Sequence, residues 1–272
     1  MYQIPQADLE ILKAYTIGRP KEFLFTYPEY KLSILQNIRL RYFVWLYKRG
    51  YSVAAIIKHK EFFGLDFFVN RHVLIPRPET ELMVENALEE IKKIGQDVTL
   101  IDIGTGSGCV PIAILKNINR QINAFATDIS RKALKAAKKN AKKQNVKISF
   151  LHDNLLEPIL KNRASICTFP LIITANLPYL TEEQFQKEHS IQKEPKTALV
   201  ADNGGLALYE ELFQQIHLLP ILPITIFMEI DPSQITKASD LINNYYPNAN
   251  IQIKNDLAGR DRLIVLRIEP IL

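Results

Sequence analysis

The chain of 272 residues, 47% hydrophobic and 23% charged, is long enough for one large domain plus a small one, and it can bury a sizeable core. A net charge of +5 fits an acidic partner such as RNA or a ribosome-associated factor, but this excess does not by itself indicate a nucleic-acid groove. Two widely separated cysteines, Cys109 and Cys167, argue for a reducing compartment and against a disulfide scaffold, and the five histidines have no metal-ligand spacing.

The amino terminus lacks the basic start and apolar run of a signal peptide. The most apolar later segment, residues 217–230, is interrupted by Pro220 and Pro223 and is too short to cross a bilayer. We therefore expect a soluble cytoplasmic protein without a membrane partner or a bound metal.

Residues 1–58 are predicted to form a small all-α domain, with helices over 7–17, about 29–48 and 53–57. The long helix carries apolar residues at helical spacing, and we expect this stripe to face the core while the neighbouring arginines face solvent. The alternative is a nucleic-acid surface made of both. The stripe consists of Leu32, Leu35, Ile38, Tyr42, Trp45 and Leu46.

A β-hairpin is expected next, because aromatic residues alternate around Gly64 and Asp66 within residues 61–69. We take residues 59–75 as a hairpin linker. Pro78 then suits the first turn of a helix that runs to about residue 93, and acidic residues beside it favour the positive helix end. Whether this helix start also lines a pocket is left open.

From there strands and helices alternate, which is typical of a doubly wound parallel sheet. Helix 131–144 is rich in lysine, and its spacing indicates a solvated outer face rather than a nucleic-acid patch. Two last strands have only a short connection, so at least one of them is expected to be antiparallel. The predicted strands are 98–103, 122–127, 147–151, 169–175, 223–230, 249–254 and 262–268, and the predicted helices are 108–118, 131–144, 205–218 and 233–245.

A glycine-rich turn follows the first of these strands, and it predicts a nucleoside site. The turn reads Gly104, Thr105, Gly106, Ser107, Gly108. A dinucleotide fingerprint would need glycine where Cys109 stands, and a P-loop would need a lysine. Asp128 ends the next strand, where a carboxylate can accept both ribose hydroxyls. Asn154, after the third strand, is a candidate to contact the edge of the base. For the glycine-rich segment itself, the alternative is an ordinary turn without a ligand.

A second motif, Asn176-Leu177-Pro178-Tyr179, follows an apolar run and would lie at the carboxyl end of a buried strand. Its amide and a backbone carbonyl can accept the two hydrogens of a planar NH2 group, while the aromatic ring packs on that plane. The alternative is an ordinary proline turn.

Taken together, these motifs resemble the class I S-adenosylmethionine-dependent methyltransferases, and more closely the release factor glutamine N5-methyltransferases, the PrmC/HemK family. The resemblance covers nearly the whole chain. Two segments are specific to this family, and the glycine loop is shared with every class I methyltransferase. The specific segments are Arg77-Pro78-Glu79-Thr80-Glu81 and residues 194–199.

The resemblance implies a Rossmann-like, seven-stranded, mostly parallel sheet over residues 76–272, preceded by the helical domain and hairpin. It implies S-adenosylmethionine bound at Gly104, Gly106, Gly108, Asp128 and Asn176. It also implies a substrate glutamine in the Asn176–Tyr179 pocket, presented by a peptide chain release factor held on the helical domain.

This sequence departs from the family in three places. Leu177 stands where the family has proline, so the motif also resembles that of rRNA adenine dimethylases. The alternative function is therefore methylation of an exocyclic amino group of adenine in RNA or DNA, although direct nucleic-acid binding is not expected. Relative to the family the chain starts at the second helix, which predicts a smaller recognition domain. Ser52, Ala55 and Lys58 replace the residues usual before the hairpin.

Overall fold

The computed structural model describes residues 4–161, 170–222 and 225–268. Four helices come first and are followed by a two-stranded hairpin. These are α1 (Gln6–Ile17), α2 (Lys21–Thr26), α3 (Ile34–Lys48) and α4 (Val53–Ile57), then β1 (His59–Phe62) and β2 (Leu65–Phe68).

Strands and helices alternate through the rest of the chain, as predicted. The elements are α5 (Glu81–Ile94), β3 (Val98–Ile103), α6 (Cys109–Lys116), β4 (Ile122–Asp128), α7 (Arg131–Gln144), β5 (Ser149–His152), α8 (Glu157–Lys161), β6 (Leu171–Ala175), α9 (Glu182–Lys187), α10 (Ala207–Ile216), β7 (Thr225–Glu229), α11 (Ile235–Tyr245), β8 (Asn250–Asn255) and β9 (Asp261–Arg267). One turn of 3-10 helix, Pro78–Thr80, leads into α5.

Within the described residues, seven strands form one sheet in the order β5-β4-β3-β6-β7-β9-β8. Only β9 runs against its neighbours β7 and β8, which confirms the mostly parallel sheet and the prediction that at least one of the last two strands is antiparallel. Two predicted strands started earlier than the sheet shows, and their first residues, 169, 223 and 224, lie outside the described part of the chain.

The strand order reverses between β3 and β6. After β3, the next two strands, β4 and β5, lie on one side of it. The strand that follows in the chain, β6, lies on the other side of β3. Ile103 and Ala175, the last residues of β3 and β6, are paired in register. The glycine loop and the Asn-Leu-Pro-Tyr segment therefore leave the sheet side by side, at the place where open α/β sheets bind their ligands.

Helices cover both faces of the sheet. Apolar side chains of α5, α6 and α7 pack on one face, and those of α8, α10 and α11 pack on the other. Helix α7 buries its alanines and Leu134 and turns its lysines outward, so the prediction of a solvated lysine face is confirmed.

The inward stripe predicted for α3 is wrong. Ile38, Tyr42 and Trp45 are exposed, with 60%, 54% and 46% of their surface accessible. The face that α3 buries instead carries Phe43, with Leu12 of α1 and Ile56 of α4 packed in the same cluster. Among the described residues, α1 and α4 make the most contact with α3, and so small a module cannot enclose a wide apolar stripe.

The start of α3 was also misjudged. Ser33 caps the helix and forms a reciprocal pair with Gln36, so the helix begins at Ile34 rather than near residue 29. A separate short helix, α2, ends earlier at Thr26, and Pro20 is its N-cap residue. The short helices α8 and α9 were not predicted either.

No helix within the described residues is both long and apolar enough to cross a membrane. In the same part of the chain, no cluster of three or more acidic, histidine or cysteine side chains is arranged to hold a metal ion. Cys109 is buried and free, and Cys167 lies outside the described residues.

The exposed stripe of α3 gives a test of this packing. We expect Trp45→Ala to change the free energy of unfolding by less than about 0.5 kcal/mol, because the ring is half exposed. Phe43→Ala, two residues away and buried, should cost about 3–5 kcal/mol. Urea unfolding of both variants measures the difference. A larger cost for Trp45 than for Phe43 would mean that α3 is rotated relative to this description.

Candidate active site

The glycine loop connects β3 to α6 by a turn that other residues could not follow. Gly104, Gly106 and Gly108 all have positive φ angles, of 67°, 55° and 79°. A side chain on Gly108 would come within 3.0 Å of Ile112 and 3.2 Å of Ala137. The loop backbone is therefore pressed against the helices behind it.

Asp128 lies across this loop at the end of β4. One carboxylate oxygen accepts a hydrogen bond from the Gly106 N–H at 2.8 Å, and the other accepts from the Ser130 N–H at 2.7 Å. Burial raises the pKa of Asp128, while these two N–H groups and nearby His152 oppose the rise. Each carboxylate oxygen has more than one acceptor site, so ribose hydroxyls can still be accepted beside the loop.

Asp102 is the buried carboxyl beneath the loop. The Thr174 hydroxyl donates to it at 2.7 Å, which joins the ends of β3 and β6. Burial raises the pKa of Asp102 to about 7, and Asp128 contributes in the same direction. Asp102 is only 3% exposed, so it lies in the protein interior beneath the loop rather than at the surface.

Asn154 lies farther along the same sheet edge. Its side-chain N–H donates to Glu211 of α10 at 2.6 Å. Asp153, the residue before it, accepts from the backbone N–H of Asn154 and pairs with Lys161. The structure thus gives Asn154 a protein partner on α10, and its backbone N–H and carbonyl are paired with Asp153 and Glu157, so only its side-chain oxygen has no partner among the described residues.

Asn176 begins the segment after β6, and its amide is oriented by the stretch before α5. Its Nδ2 donates to the hydroxyl of Thr80 at 3.1 Å. The Asn176 side-chain oxygen accepts no hydrogen bond from the described residues. The carboxamide therefore turns its donor toward Thr80 and keeps its acceptor available.

Leu177 turns its side chain away from the solvent. It is 3% exposed, belongs to the core cluster beneath the sheet, and lies where a side chain on Gly104 would come within 3.1 Å of it. Its N–H donates to the hydroxyl of Tyr209 at 3.4 Å, whereas its carbonyl accepts no hydrogen bond from any described residue. Residue 177 thus contributes a free backbone acceptor and packs its side chain against the glycine loop.

Tyr209 and Gln234 hold the backbone around this segment. The Tyr209 hydroxyl is within hydrogen-bond distance of the carbonyls of Ala175 and Glu229, at 3.0 and 2.6 Å. Gln234 donates to the carbonyl of Tyr179 at 2.7 Å. Gly205 passes so close that a Cβ there would be 1.9 Å from the same carbonyl oxygen. These contacts fix the path of the chain from Asn176 to Tyr179.

Glu229, the last residue of β7, is buried beside the Tyr179 ring. The Tyr179 hydroxyl donates to its Oε1 at 3.4 Å, and its Oε2 has no hydrogen-bond partner among the described residues. Burial raises the pKa of Glu229 to about 7, while the Thr80 hydroxyl and Arg262 favour the ionised form.

The two family-specific segments contact each other. Glu194, whose side chain is only 6% exposed, forms an ion pair with Arg77 and accepts a hydrogen bond from the N–H of Ile75 at 2.9 Å. The loop that follows is joined to the site, because the Leu180 N–H donates to the Leu199 carbonyl at 2.8 Å. The segment with Thr80 is therefore held over the end of β6.

Four residues at the site were not predicted: Thr80 as a partner of Asn176, Tyr209, Glu229 and Gln234. A carboxylate that ends an apolar strand is the pattern that drew attention to Asp128, and the same pattern could have found Glu229. Tyr209 and Gln234 had no such signal, since a tyrosine in an apolar helix and a glutamine near a helix start look ordinary in sequence.

Comparison with known proteins identifies the class. The family model described as ribosomal protein L11 methyltransferase (PrmA) matches residues 77–178. The fold is similar to the human METTL16 catalytic domain in complex with MAT2A 3′UTR hairpin 1, with a TM-score of 0.61 and 16% identity over 79% of this chain and 78% of that one. The METTL16 N-terminal domain in complex with SAH gives 0.53, with 18% identity over 76% and 77%. The fold is that of a class I S-adenosylmethionine-dependent methyltransferase.

Curated relatives identify the family. Release factor glutamine methyltransferase of Enterococcus faecalis is 36% identical over 219 residues, which cover 79% of this chain and 75% of the relative. The Bacillus subtilis protein of that name is 31% identical over 94% of this chain and 88% of the relative, and the Dictyoglomus turgidum protein is 33% identical over 94% and 89%. The chain belongs to the release factor glutamine methyltransferase family, and its cofactor is S-adenosylmethionine.

Two adjacent glycines test how the Tyr179 carbonyl is held. Gly205→Ala places a methyl group on that oxygen, so we expect methyl transfer to fall more than tenfold. Gly204→Ala is the matched control: its φ is also positive, but the new carbon would approach nothing closer than Lys237 at 3.8 Å. It should cost about 1–2 kcal/mol of stability and leave transfer by the folded protein within about threefold. Equal losses of activity in the two variants would show that the close approach is unimportant.

Proposed function

We propose that this protein transfers the methyl group of S-adenosylmethionine to the side-chain amide nitrogen, N5, of the glutamine in the Gly-Gly-Gln motif of peptide chain release factors. One observation carries the proposal within the family. The Asn176 side-chain oxygen and the Leu177 carbonyl are both free of partners among the described residues, while the donors beside them are occupied.

The cofactor site follows from the loop. Gly104, Gly106 and Gly108 allow a ligand to approach the backbone, and Asp128 accepts the ribose hydroxyls. Thr105, Ser107 and Asn176 line the same edge, and Asn154 contacts the base through its free side-chain oxygen. A sulfonium methyl is already electrophilic when the cofactor is bound, so the protein has mainly to place the nucleophile.

The nucleophile is a poor one, because the lone pair of an amide nitrogen is delocalised into its carbonyl. The oxygens of Asn176 and Leu177 accept the two N–H groups and so turn the lone pair toward the methyl group. The same two acceptors stabilise the positive charge that grows on nitrogen during transfer. Pro178 keeps Leu177 extended, and Tyr179 packs on the amide plane.

The helical domain, residues 1–58, is proposed to recognise the release factor, with residues 59–75 as the connecting hairpin and 76–272 as the catalytic domain. The catalytic pocket contacts little of the substrate beyond one amide group, so selectivity for the release factor requires contacts elsewhere on the protein. Helix α3 offers an exposed apolar face next to basic side chains: Arg49 stacks over the exposed Trp45 ring at 4.0 Å. A cytoplasmic location belongs to the same proposal, because release factors work where proteins are made.

A methyl-transfer assay with purified release factor, followed by mass mapping of the modified residue, tests the function. We expect a gain of one methyl group on the glutamine of Gly-Gly-Gln. Asn176→Ala should lower turnover on the order of a hundredfold and change cofactor affinity only modestly. Asp128→Ala should weaken cofactor binding by about 1–3 kcal/mol in calorimetry.

Two results would contradict the proposal. Modification of adenine-containing RNA, with none of the release factor, would assign the enzyme to amino groups of nucleic acid. The salt dependence of substrate binding would then be steep, as for enzymes that contact phosphates. Loss of cofactor affinity in Asn176→Ala, with none in Asp128→Ala, would reverse the assigned roles of the two side chains.

Docking on α3 has its own test. Trp45→Ala in the full chain should raise KM for folded release factor about tenfold, leave kcat unchanged, and not alter the slow methylation of a short Gly-Gly-Gln peptide. Lys116→Ala, on an exposed helix end of the catalytic domain, is the control and should change neither substrate. An equal change on peptide and protein would mean that α3 supports the catalytic site rather than the release factor.

A further inference from the structure

Asn140 of α7 is a buried polar side chain, 0% exposed, that joins two separate parts of the fold. Its Oδ1 accepts a hydrogen bond from the N–H of Phe68 at 2.8 Å, and its Nδ2 donates to the carbonyl of Phe68 at 2.9 Å. The same Nδ2 also donates to the carbonyl of Ser107, again at 2.9 Å. One carboxamide therefore connects the last residue of the hairpin strand β2 to the glycine loop.

We propose that Asn140 is a positioning residue that couples the cofactor loop to the hairpin, so that binding of S-adenosylmethionine stabilises the hairpin and, through it, the placement of the helical domain. The consequence for the release factor rests on the proposed function, whereas the coupling itself requires only the cofactor.

The three hydrogen bonds allow the Asn140 amide only one orientation. A carboxamide is planar, with two donor hydrogens on its nitrogen and acceptor sites on its oxygen. If the amide rotated by half a turn, its nitrogen would face the N–H of Phe68 and its oxygen would face two carbonyls. Because the side chain is shielded from water, a lost bond has no substitute. A shift of the Ser107 carbonyl therefore turns the amide and disturbs its two bonds to Phe68.

The loop end of this link lies within the cofactor loop. Ser107 stands between Gly106 and Gly108, and the N–H of Gly106 donates to Asp128. Glycine has the widest conformational freedom of any residue, so a fixed contact on this loop limits the conformations it can adopt. A cofactor held against the loop restricts the same peptide groups, and Asn140 transmits that restriction to β2.

The hairpin end of the link reaches the helical domain. The N–H of Val69, the residue after Phe68, donates to the carbonyl of Lys58, which directly follows α4. Val69 also lies in a buried cluster with alanines of α7, and Ala54 of α4 packs against that cluster. A change at Phe68 is thus one residue away from the contact between the hairpin and the helical domain.

Lys143, one turn farther along α7, provides the matched control. Its ammonium group pairs with the Asp66 carboxylate and donates to the Asp66 carbonyl at 3.1 Å, so it also joins α7 to the hairpin. Among the described residues it has no hydrogen bond or ion pair to the glycine loop. Lys143→Met therefore removes a hairpin contact and leaves the link between hairpin and loop in place.

Amide hydrogen exchange tests the coupling, measured by NMR on the full chain with and without saturating S-adenosylmethionine. The Val69 N–H is the reporter, because neither substitution removes its acceptor. In the wild type we expect its exchange to slow at least about fivefold on cofactor binding, the lower end of usual couplings between sites. In Asn140→Ala the cofactor should change the rate by less than about twofold, whereas Lys143→Met should keep the full effect.

Cofactor affinity gives a second measurement, since Asn140→Ala also deprives the loop of a fixed contact. Calorimetry should show S-adenosylmethionine binding weakened about fivefold or more in Asn140→Ala and within about twofold of the wild type in Lys143→Met. Unchanged affinity in a folded Asn140→Ala variant would contradict the proposal.

The two proposed substrates distinguish a lost link from a general structural defect. At saturating cofactor, Asn140→Ala should lower kcat/KM about tenfold for folded release factor and no more than about threefold for a short Gly-Gly-Gln peptide, which does not use the helical domain. An equal loss on both substrates would mean that Asn140 only supports the fold of the catalytic domain.

The exchange measurement on the wild type needs no variant, and a Val69 rate that does not respond to the cofactor would refute the coupling. If Asn140→Ala folds poorly, Asn140→Asp keeps the acceptor for the Phe68 N–H but lacks both donors, so it should also lose the cofactor effect. An undiminished effect in a folded Asn140 variant, or its loss in Lys143→Met, would refute the role of Asn140. Failure to methylate release factor, with the exchange response present, would refute the substrate instead.

Discussion

The peptide groups just after β6 have no strand beside them, and the whole site depends on how side chains hold them. Ala175 is the last residue of the strand, and from Asn176 onward each backbone group needs another partner. The Tyr209 hydroxyl serves the start of the segment and the Gln234 amide serves its end. These partners take the Leu177 N–H and the Tyr179 carbonyl and leave the Leu177 carbonyl without a partner among the described residues. The backbone groups that can bind a ligand here are therefore those that have no hydrogen-bond partner within the protein.

The site also concentrates buried carboxyl groups, at a cost in stability. Burial raises the pKa of both Asp102 and Glu229 to about 7, above the usual range of free carboxyl groups. The unfolded chain therefore releases these protons at lower pH than the folded protein does. Between about pH 4 and pH 7 the folded state loses stability from both groups as pH rises, on the order of a few kcal/mol in total. Such a cost is common where a fold keeps charge for binding rather than for packing.

Most of the sheet could be predicted from sequence, because its strands are apolar runs that end in glycine, asparagine or aspartate. The ligand edge followed from the same rule, which placed Gly104, Asp128 and Asn176 together. The side chains beneath that edge could not be predicted, since Tyr209, Gln234 and Thr80 reach it from helices far apart in the chain. The stripe on α3 failed for a different reason: periodicity shows which face is apolar, but not whether enough neighbouring structure exists to cover it.

Leu177 shows how a departure from the family pattern can leave the chemistry unchanged. A proline at this position would offer the same carbonyl but no N–H, and leucine adds a donor that Tyr209 accepts. The leucine side chain fills the space beside Gly104, so it links the substrate segment to the cofactor loop by packing. Neither difference alters the two acceptors proposed to meet an NH2 group. The Asn-Leu-Pro-Tyr sequence therefore cannot by itself distinguish a glutamine amide from an adenine amino group, and the distinction must come from surfaces that bind the rest of the substrate.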